Sequence, residues 1–254
     1  MQILQRKISI LVMILLGAVA LPAQTWQIKA PMPTARKGMA VAVLQDKIWV
    51  MGGSEMGHHA LSTVEVFDPQ SNSWNTQVPA LHHKRDNATA QTWGGKIFVF
   101  GGMSDGTLVP EVEMYDPGVG DWQTISSLPT ARLGMASVVV DSGIWLIGGG
   151  TSQNSSMDVV EIYHPALNTW QTLPAHLNIA RGAPMAAVVD SEVYVFGGYF
   201  YGPVNSYEKY NRMTQSWETV GTMLYYCGSA GYASAGNRAW LVGGTGQGGD
   251  LNKL

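Results

Sequence analysis

From Ala35 to Trp74 the chain reads ARKGMAVAVLQDKIWVMGGSEMGHHALSTVEVFDPQSNSW, and this stretch recurs along the rest of the sequence. Its Gly-Gly pair returns at Gly52, Gly101, Gly148, Gly197 and Gly243, with spacings of 49, 47, 49 and 46 residues. Tryptophan keeps the same time: Trp26, Trp74, Trp122, Trp170 and Trp217 lie 48, 48, 48 and 47 apart. A period near 48 with two landmarks marks a repeat architecture. One period predicts four short strands. Gly38 to Leu44 is the first, Asp46-Lys47 a tight turn, and Ile48 to Met51 the second. A long polar loop leads to the third strand, Val64 to Phe67. Asp68-Pro69 then turns the chain, because proline presets φ and aspartate caps a turn, and Ser73 to Asn75 is the fourth.

The second strands read KIWVM, KIFVF, GIWLI, EVYVF and RAWLV. They are apolar without alternation, so both faces are expected to be buried. A run of five residues ending in Gly-Gly is too short for a helix. A four-stranded antiparallel sheet buried on both faces is a propeller blade. The pattern P-x-x-R, then I-[YWF]-V-x-G-G, then V-E-x-[YF]-D-P, then W resembles the Kelch repeat, and the resemblance runs from Trp26 to Leu254. It implies an all-β, Kelch-type β-propeller with four full four-stranded blades (36–74, 85–122, 132–170, 181–217) and a truncated fifth (227–254). Tyr163-His164-Pro165 and Tyr210-Asn211-Arg212 depart from the turn motif, and Cys227 stands where the other copies have arginine. Propellers host unrelated activities, so the resemblance speaks to fold more than to function.

The chain has 254 residues, a net charge of −3 and only 13% charged residues. No basic footprint appears, which argues against a nucleic-acid partner. Residues 1–23 read as a signal peptide: Arg6-Lys7, an apolar run to Ala20, and cleavage expected after Ala20 or Ala23. A membrane anchor is the alternative, but the run falls short of the roughly 20 residues a span needs. The expectation is a secreted, periplasmic or cell-surface protein with no membrane attachment after cleavage. Cys227 is the sole cysteine, so no disulfide forms within the chain. Residues 24–254 read as one propeller domain. Thr25 to Ile28 copies a fourth strand (compare Trp122 to Ile125), and such an orphan commonly completes the last blade. The final copy stops before its third-strand Glu, Tyr-Asp-Pro and Trp. Either the chain is a fragment of a six- or seven-bladed propeller or it closes poorly with five. The first case leaves an exposed strand edge.

In an up-and-down blade, loops alternate between two faces. Short hairpins share one. The long loops Ser54–Leu61, Met103–Val109, Gly150–Met157 and Tyr199–Val204 share the other with the blade-to-blade connections. Binding usually sits on long loops carried by a rigid scaffold. Arg36, Arg85, Arg132 and Arg181 each lie 16 residues before a Gly-Gly pair, at the rim of this face. Guanidinium groups pair well with carboxylates. The Kelch resemblance implies contacts to an acidic peptide at these positions; the alternative is pairing with the equally periodic Glu65, Glu113, Glu161 and Glu208. Tyr199, Phe200 and Tyr201 occur in no other copy and are candidate anchors for a protein or a sugar ring. His58-His59 and His82-His83 fall on the same face without metal-ligand spacing. No catalytic motif or phosphate loop is present, and Tyr225-Tyr226-Cys227 has no histidine near it in sequence. The reading is a secreted binding module for a protein, acidic peptide or glycan, with no cofactor and no metal. The resemblance implies one alternative, a carbohydrate-active propeller enzyme of the sialic-acid-epimerase or copper-radical-oxidase kind.

Overall fold

A computed structural model of the chain describes residues 27–55, 59–152, 155–235 and 237–251. The signal-peptide segment 1–23 lies outside them, as do Thr25 and Trp26 of the orphan strand. Gln27 and Ile28, the rest of that segment, carry no strand pairing.

Among the described residues every regular element is a strand. The first sheet holds β1 (Ala40–Leu44), β2 (Lys47–Met51), β3 (Val64–Asp68) and β4 (Ser73–Asn75) in chain order. The second holds β5 (Thr89–Trp93), β6 (Lys96–Phe100), β9 (Glu111–Asp116) and β10 (Asp121–Ser127). Its long loop carries a small hairpin of β7 (Met103–Ser104) and β8 (Thr107–Leu108). The third comprises β11 (Ala136–Val140), β12 (Gly143–Ile147), β13 (Val160–His164) and β14 (Thr169–Thr172). The fourth comprises β15 (Met185–Val189), β16 (Glu192–Phe196), β17 (Ser206–Asn211) and β18 (Ser216–Thr222). The fifth has two strands, β19 (Gly231–Ala235) and β20 (Arg238–Val242), followed by a hairpin of β21 (Thr245–Gly246) and β22 (Gly249–Asp250). All neighbours pair antiparallel. The expected four blades and partial fifth are present.

The apolar second strands bury both faces, and the reason is visible residue by residue. Ile97 and Val99 of β6 pack into a core shared with Ala42, Trp49 and Val66 of the first blade. Phe98 and Phe100 of the same strand face the third blade, against Ile144, Leu146 and Tyr163. Trp145 and Ile147 then point the other way, into a core with Val193, Val195, Tyr210 and Trp217 of the fourth. Each strand thus alternates between two neighbours rather than between core and water. The landmark tryptophans complete these layers. Trp74, Trp122, Trp170 and Trp217 each lie against the aromatic residue of their third strand, with ring centroids 5.1, 5.3, 4.9 and 5.4 Å apart.

The innermost strands β1, β5, β11, β15 and β19 are sequential neighbours around one axial channel. Each is an edge strand whose outward backbone groups need partners, and side chains supply several. Thr92 Oγ1 donates to Val43 O at 2.7 Å, and Gln91 Nε2 donates to Ser137 O at 2.8 Å. Tyr232 reaches across from β19 so that its hydroxyl accepts from Ser137 N at 2.9 Å. That contact ties the two-stranded fifth blade to the third. Tyr232→Phe is expected to cost about 1 kcal/mol, the usual worth of one such bond, read as a shift in the urea midpoint.

Candidate functional site

The long-loop face is built where each blade-to-blade connection meets the loop after the Gly-Gly pair. Bridges join Lys37 to Ser54, Asp86 to Met103, Leu133 to Gly150, Gly182 to Tyr199 and Gly228 to Thr245. The Gly-Gly pair makes this meeting possible. The second glycine's N–H donates to the next blade's backbone at residue 85, 132, 181 or 227: Gly53 N to Arg85 O, Gly102 N to Arg132 O, Gly149 N to Arg181 O, Gly198 N to Cys227 O, all within 3.0 Å.

The periodic arginines turn inward. Arg85, Arg132 and Arg181 are 0% exposed, and the Arg36 side chain is equally covered. Each pairs with the glutamate of its own blade's third strand: Arg36–Glu65 at 3.0 Å, Arg85–Glu113 at 2.7 Å, Arg132–Glu161 at 2.9 Å and Arg181–Glu208 at 2.8 Å. Arg85 Nη1 also donates to Gly101 O and Glu111 O, and Arg181 Nη1 to Gly197 O and Ser206 O. The glutamates in turn receive the incoming connection: Glu113 accepts from His82 N and His83 N, and Glu208 from Asn178 N and Ile179 N. Desolvation pulls the Arg85, Arg132 and Arg181 guanidinium groups below their usual range, with the glutamates opposing it. The expected positive rim is therefore corrected: these four groups staple strands inside each blade and leave no guanidinium at the mouth.

Cys227 takes the arginine position in the fifth blade, and its thiol donates to Gly243 O at 3.4 Å, as Arg85 does to Gly101 O. Burial pushes that thiol up, so it is held protonated and buried.

What lines the mouth is the second residue after each arginine, or after Cys227 in the fifth blade. Gly38, Asn87, Gly134, Ala183 and Ser229 all have φ between 44° and 65°. They hand hydrogen bonds from blade to blade: Asn87 N to Gly38 O, Gly134 N to Asn87 O, Ala183 N to Gly134 O and Ser229 N to Ala183 O, each within 3.0 Å. Two adjoining cavities open on this ring. One of about 490 Å³ is lined by Asn87, Ser152, Ser155, Ser156, Tyr199 and Tyr201, without a charged side chain. The other, about 690 Å³, is lined by Lys37, Ser54, Asp86, Thr245, Asp250 and Tyr232. Asn87 lines both.

The three aromatic candidates divide. Tyr199 is half-buried; its ring lies over Gly228 and its hydroxyl donates to Thr245 O at 3.1 Å, bracing the fourth blade to the fifth. Phe200 is 45% exposed and Tyr201 fully exposed, with ring centroids 4.6 Å apart. Of the histidines, His83 lies 3.4 Å from Glu113 and His59 3.9 Å from Asp105, while His58 is outside the described residues. Asp86, Ser54 and Tyr232 were missed by reasoning from the repeat. The signal was present in the departures from R-x-G: Arg85-Asp86-Asn87, Arg181-Gly182-Ala183 and Cys227-Gly228-Ser229.

Comparison with known proteins agrees with this architecture. The KLHDC2/KLHL20/DRC7 Kelch-repeats domain matches residues 13–198, and the Kelch motif matches residues 181–224. Kelch-like protein 36 of Bos taurus is 34% identical over 84 residues, 31% of this chain and 14% of that protein. An F-box/kelch-repeat protein of Arabidopsis thaliana is 32% identical over 84 residues, 33% of this chain and 22% of that protein. The chain thus spans a minor part of these relatives. The solved structure of YjhT superposes with a TM-score of 0.83, covering 92% of this chain and 85% of that one at 16% identity, a likeness of fold.

Proposed function

The chain belongs to the Kelch-repeat family, and from that premise we propose that it is an exported binding module that recognises a protein, peptide or glycan at the mouth of its channel. The observation that carries this reading is Tyr201. It is a fully exposed aromatic on a nonrepeated loop, at φ 53°, beside a polar cavity. A large ring held in water at a left-handed backbone contributes nothing to the propeller's own core. Aromatic rings on rigid loops are the residues that dominate binding energy when a partner covers them. With the arginines withdrawn, recognition rests on Phe200, Tyr201, the serines at 152, 155, 156 and 229, and the Asn87 amide.

The test is a peptide library and a glycan array screened with the full chain. Tyr201→Ala is expected to leave the melting temperature unchanged and to weaken capture of every wild-type hit by about tenfold or more. Equal capture by the variant removes the mouth as the recognition surface. Export rests on residues 1–23; N-terminal sequencing of the mature protein is expected to start after Ala20 or Ala23.

A further inference from the structure

We propose that Asp86 and Ser54 form a cation-accepting subsite at the mouth, which takes an ammonium or guanidinium group from a peptide ligand. The inference rests on the mouth being the recognition surface. Asp86 occupies the position after the periodic arginine, held in the other copies by Lys37, Leu133, Gly182 and Gly228. A lone carboxylate there is not something the repeat requires. Asp86 is 6% exposed and lines the larger cavity, and its Oδ1 has no hydrogen-bond partner among the described residues. Ser54, 1% exposed, lines the same cavity and its Oγ is likewise unpartnered.

Folded proteins rarely leave buried polar atoms unpaired, and each exception calls for a reason. The periodic buried glutamates each have an arginine against them: Glu113 and Glu208 also take two backbone N–H groups, and Glu161, whose Oε2 likewise lacks a hydrogen bond, lies 2.9 Å from Arg132 Nη1, whereas Asp86 has no such cation among the described residues. An ionised carboxylate only accepts, so the missing partner of Asp86 is a donor. The Ser54 hydroxyl on the same cavity can accept a second hydrogen bond from such a head group. Charge selects the class of donor. Asp250 places a second carboxylate on this cavity against a single Lys37, while the adjoining cavity is uncharged. Lys37, exposed and on the same wall, does not reach Asp86 Oδ1. Its positive charge on the same cavity opposes an incoming cation, so its removal should favour binding.

The experiment measures binding of hexa-arginine, hexaglutamate and a neutral oligosaccharide to the full chain by calorimetry at physiological salt. Hexa-arginine is expected to bind saturably, to weaken about tenfold in Asp86→Asn, where a charge-assisted bond is lost, and to tighten in Lys37→Gln. Asp190→Asn, in a short hairpin, is the control for general attraction to an acidic protein and is expected to change nothing. If Asp86→Asn melts early, Ser54→Ala is read instead, and it too must weaken hexa-arginine. Wild-type affinity in Asp86→Asn, stronger binding of hexaglutamate, or Asp86-dependent binding of the oligosaccharide alone overturns the subsite. Should Tyr201→Ala abolish hexa-arginine binding while Asp86→Asn leaves it intact, the mouth stands and the subsite falls. Should neither variant matter, both readings fall together.

Discussion

Replacing Arg85 by alanine is expected to destabilise the protein by about 3–5 kcal/mol, the usual result of removing one partner from a buried ion pair. The size follows from what is left behind. Glu113 keeps its two backbone donors from His82 and His83 but loses the charge that offsets its burial. The carbonyls of Gly101 and Glu111 lose their donor at the same time. In a chain of this length the thermal midpoint should fall by roughly 10 °C. Arg85→Lys is expected to recover only part of the loss, because one ammonium cannot serve two carbonyls and a carboxylate in the fork geometry. A variant that melted like the parent yet lost its ligand would return the arginine to the role of ligand contact.

The second large effect is expected at Gly101, and its natural control is Gly94. Both have left-handed backbones, φ 59° and 57°. A Cβ on Gly94 would meet nothing within 4 Å. At Gly101 it would collide with Arg132 O and with the Met135 side chain. Gly94→Ala should therefore cost only the left-handed penalty, about 1–2 kcal/mol. Gly101→Ala should cost on the order of 4 kcal/mol or more, because the second blade must be pushed away from the connection that enters the third. Unfolding midpoints of the pair measure the difference. Equal losses would mean that the Gly-Gly pair is retained for its φ values and not for close approach between blades.

Much of the architecture was legible in the chain because a repeat writes its packing several times over. The unalternating Ile97-Phe98-Val99-Phe100 run could serve only a strand with protein on both faces, and each residue does contact one of two neighbouring blades. The regular spacing of Trp122 and Trp170 marked the strands that close each sheet. Placement of the loops followed from strand alternation, and the bridges at Ser54, Met103, Gly150 and Tyr199 put them beside the connections as expected.

The candidate site was legible only in part, and periodicity is the reason. A residue present in every copy answers a need that every copy has. Arg36, Arg85, Arg132 and Arg181 met that description, and all four pair with a glutamate of their own blade. Residues that break the pattern carry what is particular to this protein. The sequence showed that Tyr199, Phe200 and Tyr201 were such a break but not that one of them braces the fifth blade while another stands in water. Strand number, blade order, the loop-bearing face and the positions held by glycine followed from residue type and spacing, since those are local or repeated demands. Which way each arginine pointed, and that Asp86, Ser54 and Asp250 meet around one cavity, depended on blades 1, 2 and 5 converging on an axis, a relation between residues up to nearly two hundred positions apart that no local pattern records.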